Sequence, residues 1–426
     1  MERASERWPA WQPKRIDVRI SPDALVDEAR EDRYHRQTLI DWWDQKRVGS
    51  TRILVIGAGA LGNEILKLLA LIGSGFTLVY DPDKIERSNL SRSVLFRQSD
   101  EGSLKADVAV REMRDINPDV RAHAINDNVI VRAGLGVFQW ADVVIGAVDN
   151  REARVFINSA CARTGKSWVD GAIEGLSGVV RVFSPSQGAC YECTMNATDR
   201  KLLAERRSCA LLARDAALRG HVPTSAVAAS IIGAMEVEEA IKVVHGQPTL
   251  TGQGLHLDGL HSEVSRVSYP RRADCPGHEN LGAIIPLGVG VADVTLGVLL
   301  ERAEAALGPG AALDLSRDVI TTLTCPSCGH ATPGRAVLGT VRESQAACPK
   351  CATHRVVEIT SSISRDSGID LRQTPADLGL PPFDIIVARQ GMERQEAWLF
   401  DGDAGSVLGP LAASYSGYSG KQASPT

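Results

Sequence analysis

Arg52-Ile53-Leu54-Val55-Ile56-Gly57-Ala58-Gly59-Ala60-Leu61-Gly62 is the stretch that decides the fold. Ile53 to Ile56 is a short apolar run of the kind that forms a buried strand. It leads into Gly-x-Gly-x-x-Gly and then an apolar helix through about Ile72. A strand, a glycine turn and a helix N-terminus together present backbone N–H groups to a phosphate. Gly57, Gly59 and Gly62 permit the tight turn and the close backbone approach. Asp81 closes the next strand, Phe76 to Tyr80, where an acid can hold ribose hydroxyls. Alone, this pattern says only that a nucleotide binds, and an NAD dehydrogenase is the default rival.

Outward from the loop, strands and helices alternate. Lys105 to Ile116 predicts a helix, Val120 to Ile125 a strand and Ala141 to Ala147 another buried strand. Trp168-Val-Asp-Gly and Gly178 to Phe183 continue the sheet, and Ala226 to Val244 has helical spacing of apolar positions. Thr249 to Tyr269 returns as strands. The expected class is therefore α/β: a Rossmann-like, doubly wound, mainly parallel sheet covered on both faces. Asp32 to Lys46 reads as a helix with Leu39, Trp42 and Trp43 on one side. The expected divisions are a polar arm (1–30), a nucleotide-binding domain (31–280), an appended C-terminal α+β module (281–411) and a Ser/Gly-rich disordered tail (412–426). The module is expected to hold a helix from Asp293 to Leu307, Cys-rich strands, and mixed β/α character from Val356 to Asp403.

With 426 residues, 44% apolar and 23% charged, the composition is that of an ordinary globular chain of two or three domains. A net charge of -5 gives no pull toward nucleic acid or anionic lipid. Met1 to Arg15 lacks the apolar core of a signal peptide, so a cytoplasmic location is expected. Leu281 to Leu300 contains Pro286, four glycines and Asp293, which is read as a helix N-cap, so it does not fit a membrane span. Neither membrane nor nucleic acid is an expected partner.

Asp81-Pro-Asp83 runs into Ser88-Asn89-Leu90-Ser91-Arg92; Lys105 follows, and Asp149-Asn150 stands at the end of a strand. Two cations, an amide and acids on strand ends suit a triphosphate better than a dinucleotide. Arg92 and Lys105 would neutralise phosphate charge, and Asp149 would hold Mg²⁺, which prefers hard oxygen ligands. Each of these residues taken singly is also compatible with a surface cation or a helix cap.

Together the set resembles the ThiF/MoeB superfamily, which includes ubiquitin-activating enzymes, over roughly residues 30–280. Arg33-Tyr34-His35-Arg36-Gln37, the glycine loop, Asp81-x-Asp83, Ser88 to Arg92, Lys105 and Asp149-Asn150 fall in the family's order. The resemblance implies an adenylation domain that binds ATP, with Asp81 on the ribose, Asn89, Arg92 and Lys105 on the phosphates and Asp149 organising Mg²⁺. It also implies that Arg36 reaches into a partner subunit's site, hence a homodimer. Ser93 stands where the family usually has Gln.

Nine cysteines in a chain without a secretory signal argue against a disulfide framework. Cys190-x-x-Cys193 matches a pair that the family places after its Gly-rich strand, and Cys275-x-x-His278 is the candidate for the second half, giving a structural Cys₃His zinc set. Cys325-x-x-Cys328 and Cys348-x-x-Cys351 have zinc-ribbon spacing. Four protein ligands leave no open position, so both sites are expected to be structural. Cys161 reads as core. Cys209, in Arg206-Arg207-Ser208-Cys209 within a crossover segment of about 196–222, resembles the thioester-forming cysteine of activating enzymes, and its arginine neighbours favour thiolate.

These readings lead to acyl adenylation of the C-terminal carboxylate of a ubiquitin-like protein, thioester formation on Cys209, and transfer to a conjugating enzyme. The alternative is activation of a sulfur-carrier protein, which shares the first step and ends in a thiocarboxylate. A catalytically inactive scaffold is disfavoured by the intact set of polar residues. A dehydrogenase is disfavoured because nothing supplies a hydride-transfer site.

Overall fold

A computed structural model describes residues 32–196, 198–199, 223–340 and 346–415. Its larger sheet has eight strands: β1 (Arg52–Ile56), β2 (Phe76–Tyr80), β3 (Arg121–Ile125), β4 (Val143–Gly146), β5 (Trp168–Glu174), β6 (Ser177–Phe183), β7 (Gln253–Asp258) and β8 (Glu263–Ser268). Their order is β3-β2-β1-β4-β5-β6-β7-β8. The first five pair in parallel and the last three add antiparallel. The expected doubly wound sheet is present, and the strand order reverses between β1 and β4. In such sheets ligands bind at that reversal, beyond the carboxyl ends of the strands.

Local chemistry sets the helices that cover this sheet. Asn150 caps helix Arg151–Thr164 by accepting from the Ala153 N–H, and Ser225 caps helix Ala226–His245 through Ala228. Helix Ala60–Ile72 buries Leu61, Ile65, Leu66, Leu69 and Ala70 against β1 and β4 and ends at Gly73. The helix expected from Asp32 to Lys46 is instead two short ones, His35–Thr38 and Gln45–Ser50. Asp44 breaks the segment: its side chain accepts from the Lys46 and Arg47 N–H groups and starts the second helix. Trp43 then stacks on His245 rather than lining a continuous helix face.

Beyond residue 280 a second sheet forms from β9 (Ile284–Pro286), β10 (Ala312–Thr324), β11 (Ala331–Val337), β12 (Val356–Ile363), β13 (Ile385–Gln390) and β14 (Arg394–Leu399). Its path is β11-β10-β13-β14-β9, with β12 also on β10. The helix here is Leu296–Leu307, capped by Thr295, not by Asp293 as expected. Asp293 instead accepts from the Gly290 N–H within the preceding turn.

Where β13 and β14 pair, this second sheet is buried on both faces. Along β13 and β14, Ile385, Val387, Ala397 and Leu399 join a core with Leu135, Phe138, Trp140 and Trp168 of the first unit. The alternate residues Ile386, Ala388 and Trp398 pack against Leu296, Leu299 and Leu300 of the module's own helix. The strand period of two thus assigns one face to each core. The chain remains packed past residue 412, where a tail was expected. Leu411 and Ala412 are buried, Tyr415 meets Phe383 edge-on, and Trp140 Nε1 donates to Ser414 Oγ at 2.9 Å. The arm (1–30), Cys209 and residues 416–426 lie outside the described residues. No described helix is long and apolar enough to cross a membrane.

Candidate adenylation site and two zinc centres

The glycine loop sits at the strand-order reversal, and each glycine has a different reason to be there. Gly57 has φ 103°, and a Cβ on it would collide with the Ala147 carbonyl of the β4 loop. A Cβ on Gly62 would collide with the Gly57 carbonyl. A Cβ on Gly59 would meet nothing within 4 Å. Gly59 also caps helix Ala60–Ile72, so open space lies at the helix N-terminus where phosphate binding is expected. That cradle fits a phosphate group.

Asp81 follows β2 and is buried. Its carboxylate accepts from Ala58 N at 2.6 Å and Asp83 N at 2.8 Å, tying the loop to the next strand. Burial pushes its pKa up, against the opposing pull of Lys105 and the two N–H groups. Lys105 Nζ pairs with Asp83 at 2.9 Å, and the Lys105 N–H donates to the Asp83 carbonyl. Asn89 accepts from the Glu86 N–H in a capping box around the turn Arg87–Ser91, and Arg92 donates to the Ser88 carbonyl at 2.7 Å. Asp149 follows β4 and accepts from Asn150 Nδ2 at 3.2 Å. Each side chain thus has a local partner, and all stand in the segments that follow β1, β2 and β4, three adjacent strands, Lys105 opening helix Lys105–Ile116. The carboxylate of Asp149 is a hard oxygen donor of the kind Mg²⁺ takes; among the described residues the three acids Asp81, Asp83 and Asp149 do not gather into one metal-binding group.

Arg36 does not sit with this group. Tyr34, two residues earlier, packs on Gly73 and accepts from Asn117 Nδ2 at 2.8 Å. Gly73 is the far end of the helix that begins at the loop. At 1.5 Å per residue, helix Ala60–Ile72 separates the two ends by about 20 Å.

Sequence reading missed a buried ionic cluster behind the Asp149 loop. Arg154 Nε donates to Asp170 at 2.8 Å, and Nη2 donates to the carbonyls of Val148 at 2.6 Å and Gly171 at 2.9 Å. Arg181 pairs with the other Asp170 oxygen. Burial opposes the charge on Arg154, but Asp170, Tyr191 and Glu236 together outweigh it and the pKa is raised. Glu236, fully buried from helix Ala226–His245, has no side-chain partner for its carboxylate among the described residues, and that carboxylate lies against the Gly171 backbone. Burial, reinforced by Asp170, raises its pKa well above the ordinary value. The available signal was only positional, Arg154 standing one helical turn after Asn150.

Both expected metal sets assemble, and the ligand atoms of each lie within 4.8 Å of one another. In the first, Cys190 and Cys193 sulfurs are 3.8 Å apart, Cys190 and Cys275 3.6 Å, and Cys193 to His278 Nε2 3.3 Å. In the second, Cys325–Cys351 is 3.4 Å, Cys328–Cys348 3.7 Å and Cys328–Cys351 3.6 Å. A tetrahedron with Zn–S bonds near 2.3 Å has edges of about 3.8 Å, so both donor sets fit zinc. The second has two matching knuckles: Gly329 and Ala352, each following a second cysteine, both adopt left-handed backbone, with φ 67° and 60°. Donors on Thr353 draw the Cys351 thiol down to about 6, toward the thiolate that binds metal. Cys161 is buried and, through burial, held well above the ordinary thiol range, as expected of core.

Residues 34–277 match the ThiF family. This chain belongs to the ThiF family. A SAMP-activating enzyme E1 of Haloferax volcanii is 31% identical over 261 residues, 59% of this chain and 90% of the relative. A sulfur carrier protein adenylyltransferase of Thermus thermophilus is 32% identical over 254 residues, 58% of this chain and 89% of the relative. The crystal structure of Escherichia coli MccB with ATP aligns with a TM-score of 0.50 at 20% identity, covering 59% of this chain and 75% of that one, which bears on the fold alone. The family match ends before the second sheet begins at Ile284.

Proposed function

We propose that this protein uses ATP to adenylate the C-terminal carboxylate of a small ubiquitin-like or sulfur-carrier protein. The observation that carries the reading is the open cradle at Gly59, set among loops bearing Asp81, Arg92, Lys105 and Asp149. The names of the two relatives support the class of substrate. A carboxylate oxygen attacks the α-phosphorus, the bond to the bridging oxygen breaks, and pyrophosphate leaves. Positioning and charge neutralisation suffice for this step, and no protein nucleophile is required. Arg92 and Lys105 face the phosphates, Asn89 holds the Arg92 turn, Asp81 receives the ribose and Asp149 orients Mg²⁺. Mg²⁺, when bound, spreads the charge that develops on the phosphate oxygens.

Arg36 acts on the site of a second copy, making the working unit a homodimer. Its place at the far end of helix Ala60–Ile72 supports this, as do the exposed Leu39, Ile40 and Trp42 around it.

For a ubiquitin-like substrate, the Cys209 thiolate attacks the acyl carbonyl of the adenylate, a thioester forms and AMP leaves. The acyl group then passes to a conjugating enzyme's cysteine. For a sulfur carrier, a sulfur donor takes the place of Cys209. The test is to incubate the enzyme with ATP, Mg²⁺ and a small ubiquitin-like or sulfur-carrier protein that ends in a free carboxylate, then compare gels with and without thiol. A thiol-sensitive adduct that disappears in Cys209→Ala supports the thioester route. Adenylate formation without an adduct favours the sulfur route.

A further inference from the structure

Asn63 occupies a position where helix propensity alone would not place it, the first turn after the glycine loop, and it is fully buried. Its amide spends all three kinds of contact on backbone. Nδ2 donates to the Ala58 carbonyl at 2.8 Å and the Gly59 carbonyl at 3.1 Å. Oδ1 accepts from the Leu95 N–H at 2.9 Å. Ala58 and Gly59 belong to the phosphate loop. Leu95 lies just past Arg92, and the buried Ser93, Leu95 and Phe96 fix the chain there. One side chain therefore bridges the two segments that must close on the same phosphates.

We infer that Asn63 is a positioning residue that sets the spacing between the Gly57–Gly62 loop and Arg92 for nucleotide phosphate binding. The inference rests on the ATP reading above. The chemistry is specific to an amide of this length. Asp keeps the acceptor for Leu95 but loses the donor to the loop. Ala loses both and leaves a buried N–H unpaired. Gln carries the same groups one methylene too far.

The test is a double-mutant cycle on ATP affinity in the presence of Mg²⁺, measured by calorimetry on the full chain: wild type, Asn63→Ala, Arg92→Ala and both together. Asn63→Ala weakens ATP by about tenfold, the scale of one lost polar contact in a binding site. If it acts through Arg92, the double variant binds ATP within about twofold of Arg92→Ala alone. Independent, multiplying losses would overturn the inference, as would unchanged affinity in Asn63→Ala. Should Asn63→Ala fail to fold, Asn63→Asp takes its place. That variant keeps the Leu95 bond, so a wild-type melting profile with weakened ATP supports the assignment and wild-type affinity overturns it. Absence of ATP binding by the wild type would instead remove the reading on which the inference stands.

Discussion

Asp384 caps a helix in the other half of the molecule: its Oδ1 accepts from the Leu135 N–H at 2.8 Å, at the N-terminus of helix Leu135–Trp140. Its Oδ2 meets Arg317, whose guanidinium donates to the carbonyls of Ile130 and Ala133 and lies over the Phe156 ring. Gly136 donates to the Phe383 carbonyl beside it. The Arg317–Asp384 ion pair lies within the C-terminal unit, and its hydrogen bonds to Ile130, Ala133 and Leu135, together with a shared apolar core, join that unit to the ThiF domain. Asp384→Ala leaves Arg317 charged and unpaired in that core and should destabilise the whole chain by about 3–5 kcal/mol. A single coincident unfolding transition, lowered in the variant, is the expected calorimetric result. A chain ending at residue 280 would expose Trp140 and Leu135 and should be insoluble.

Gly59 and Gly62 separate folding from binding. Gly59→Ala adds a methyl to open space at φ -74°, a region open to alanine, so the fold should tolerate it. Its melting temperature should match wild type while ATP affinity falls at least about tenfold, because the methyl occupies the phosphate cradle. Gly62→Ala collides with the Gly57 carbonyl and should lower stability itself. Thermal melting and ATP titration of the two variants check this.

How far the sequence carried is clearest at these positions. The loop, the mainly parallel character of the sheet and the zinc-ribbon spacing were legible because each depends on local spacing. The Cys₃His set was read across the stretch from Cys193 to Cys275 because the family resemblance implies a second pair after the long helix. What was not legible depends on long-range packing. Asp384 and Leu135 are related only by the second sheet's docking, and strands β13 and β14 conceal two cores in one apolar run. The Asp32–Lys46 helix was misread because Leu39, Trp42 and Trp43 have helical spacing, whereas Asp44 and His245 impose a turn.

Both zinc centres should be filled. Elemental analysis is expected to give two zinc ions per chain, falling to one in Cys190→Ser or in Cys328→Ser. Within the second knuckle Ala352 holds a left-handed conformation that Gly329 holds without strain in the first. Ala352→Gly should therefore stabilise the chain by up to about 1 kcal/mol, with zinc content unchanged.

Glu236 predicts a pH-dependent effect. Its folded pKa is raised by burial, so the folded state binds its proton more tightly than the unfolded state does. Below the ordinary value of 4.5 both states are protonated and the residue is neutral to stability. As pH rises through 4.5 toward the folded pKa, wild type loses stability. Glu236→Gln removes that loss, so its advantage should grow from pH 4 to pH 8, reaching about 1–3 kcal/mol. Urea unfolding at several pH values reads the difference, and parallel curves would remove the argument.

The most direct test of the central claim is ATP–pyrophosphate exchange with a small carrier protein that ends in a free carboxylate. Wild type should support exchange with that protein, give none when its C-terminus is amidated, and lose exchange in Asp149→Ala. Exchange that persists with the amidated carrier, or at a normal rate in Asp149→Ala, would contradict the account.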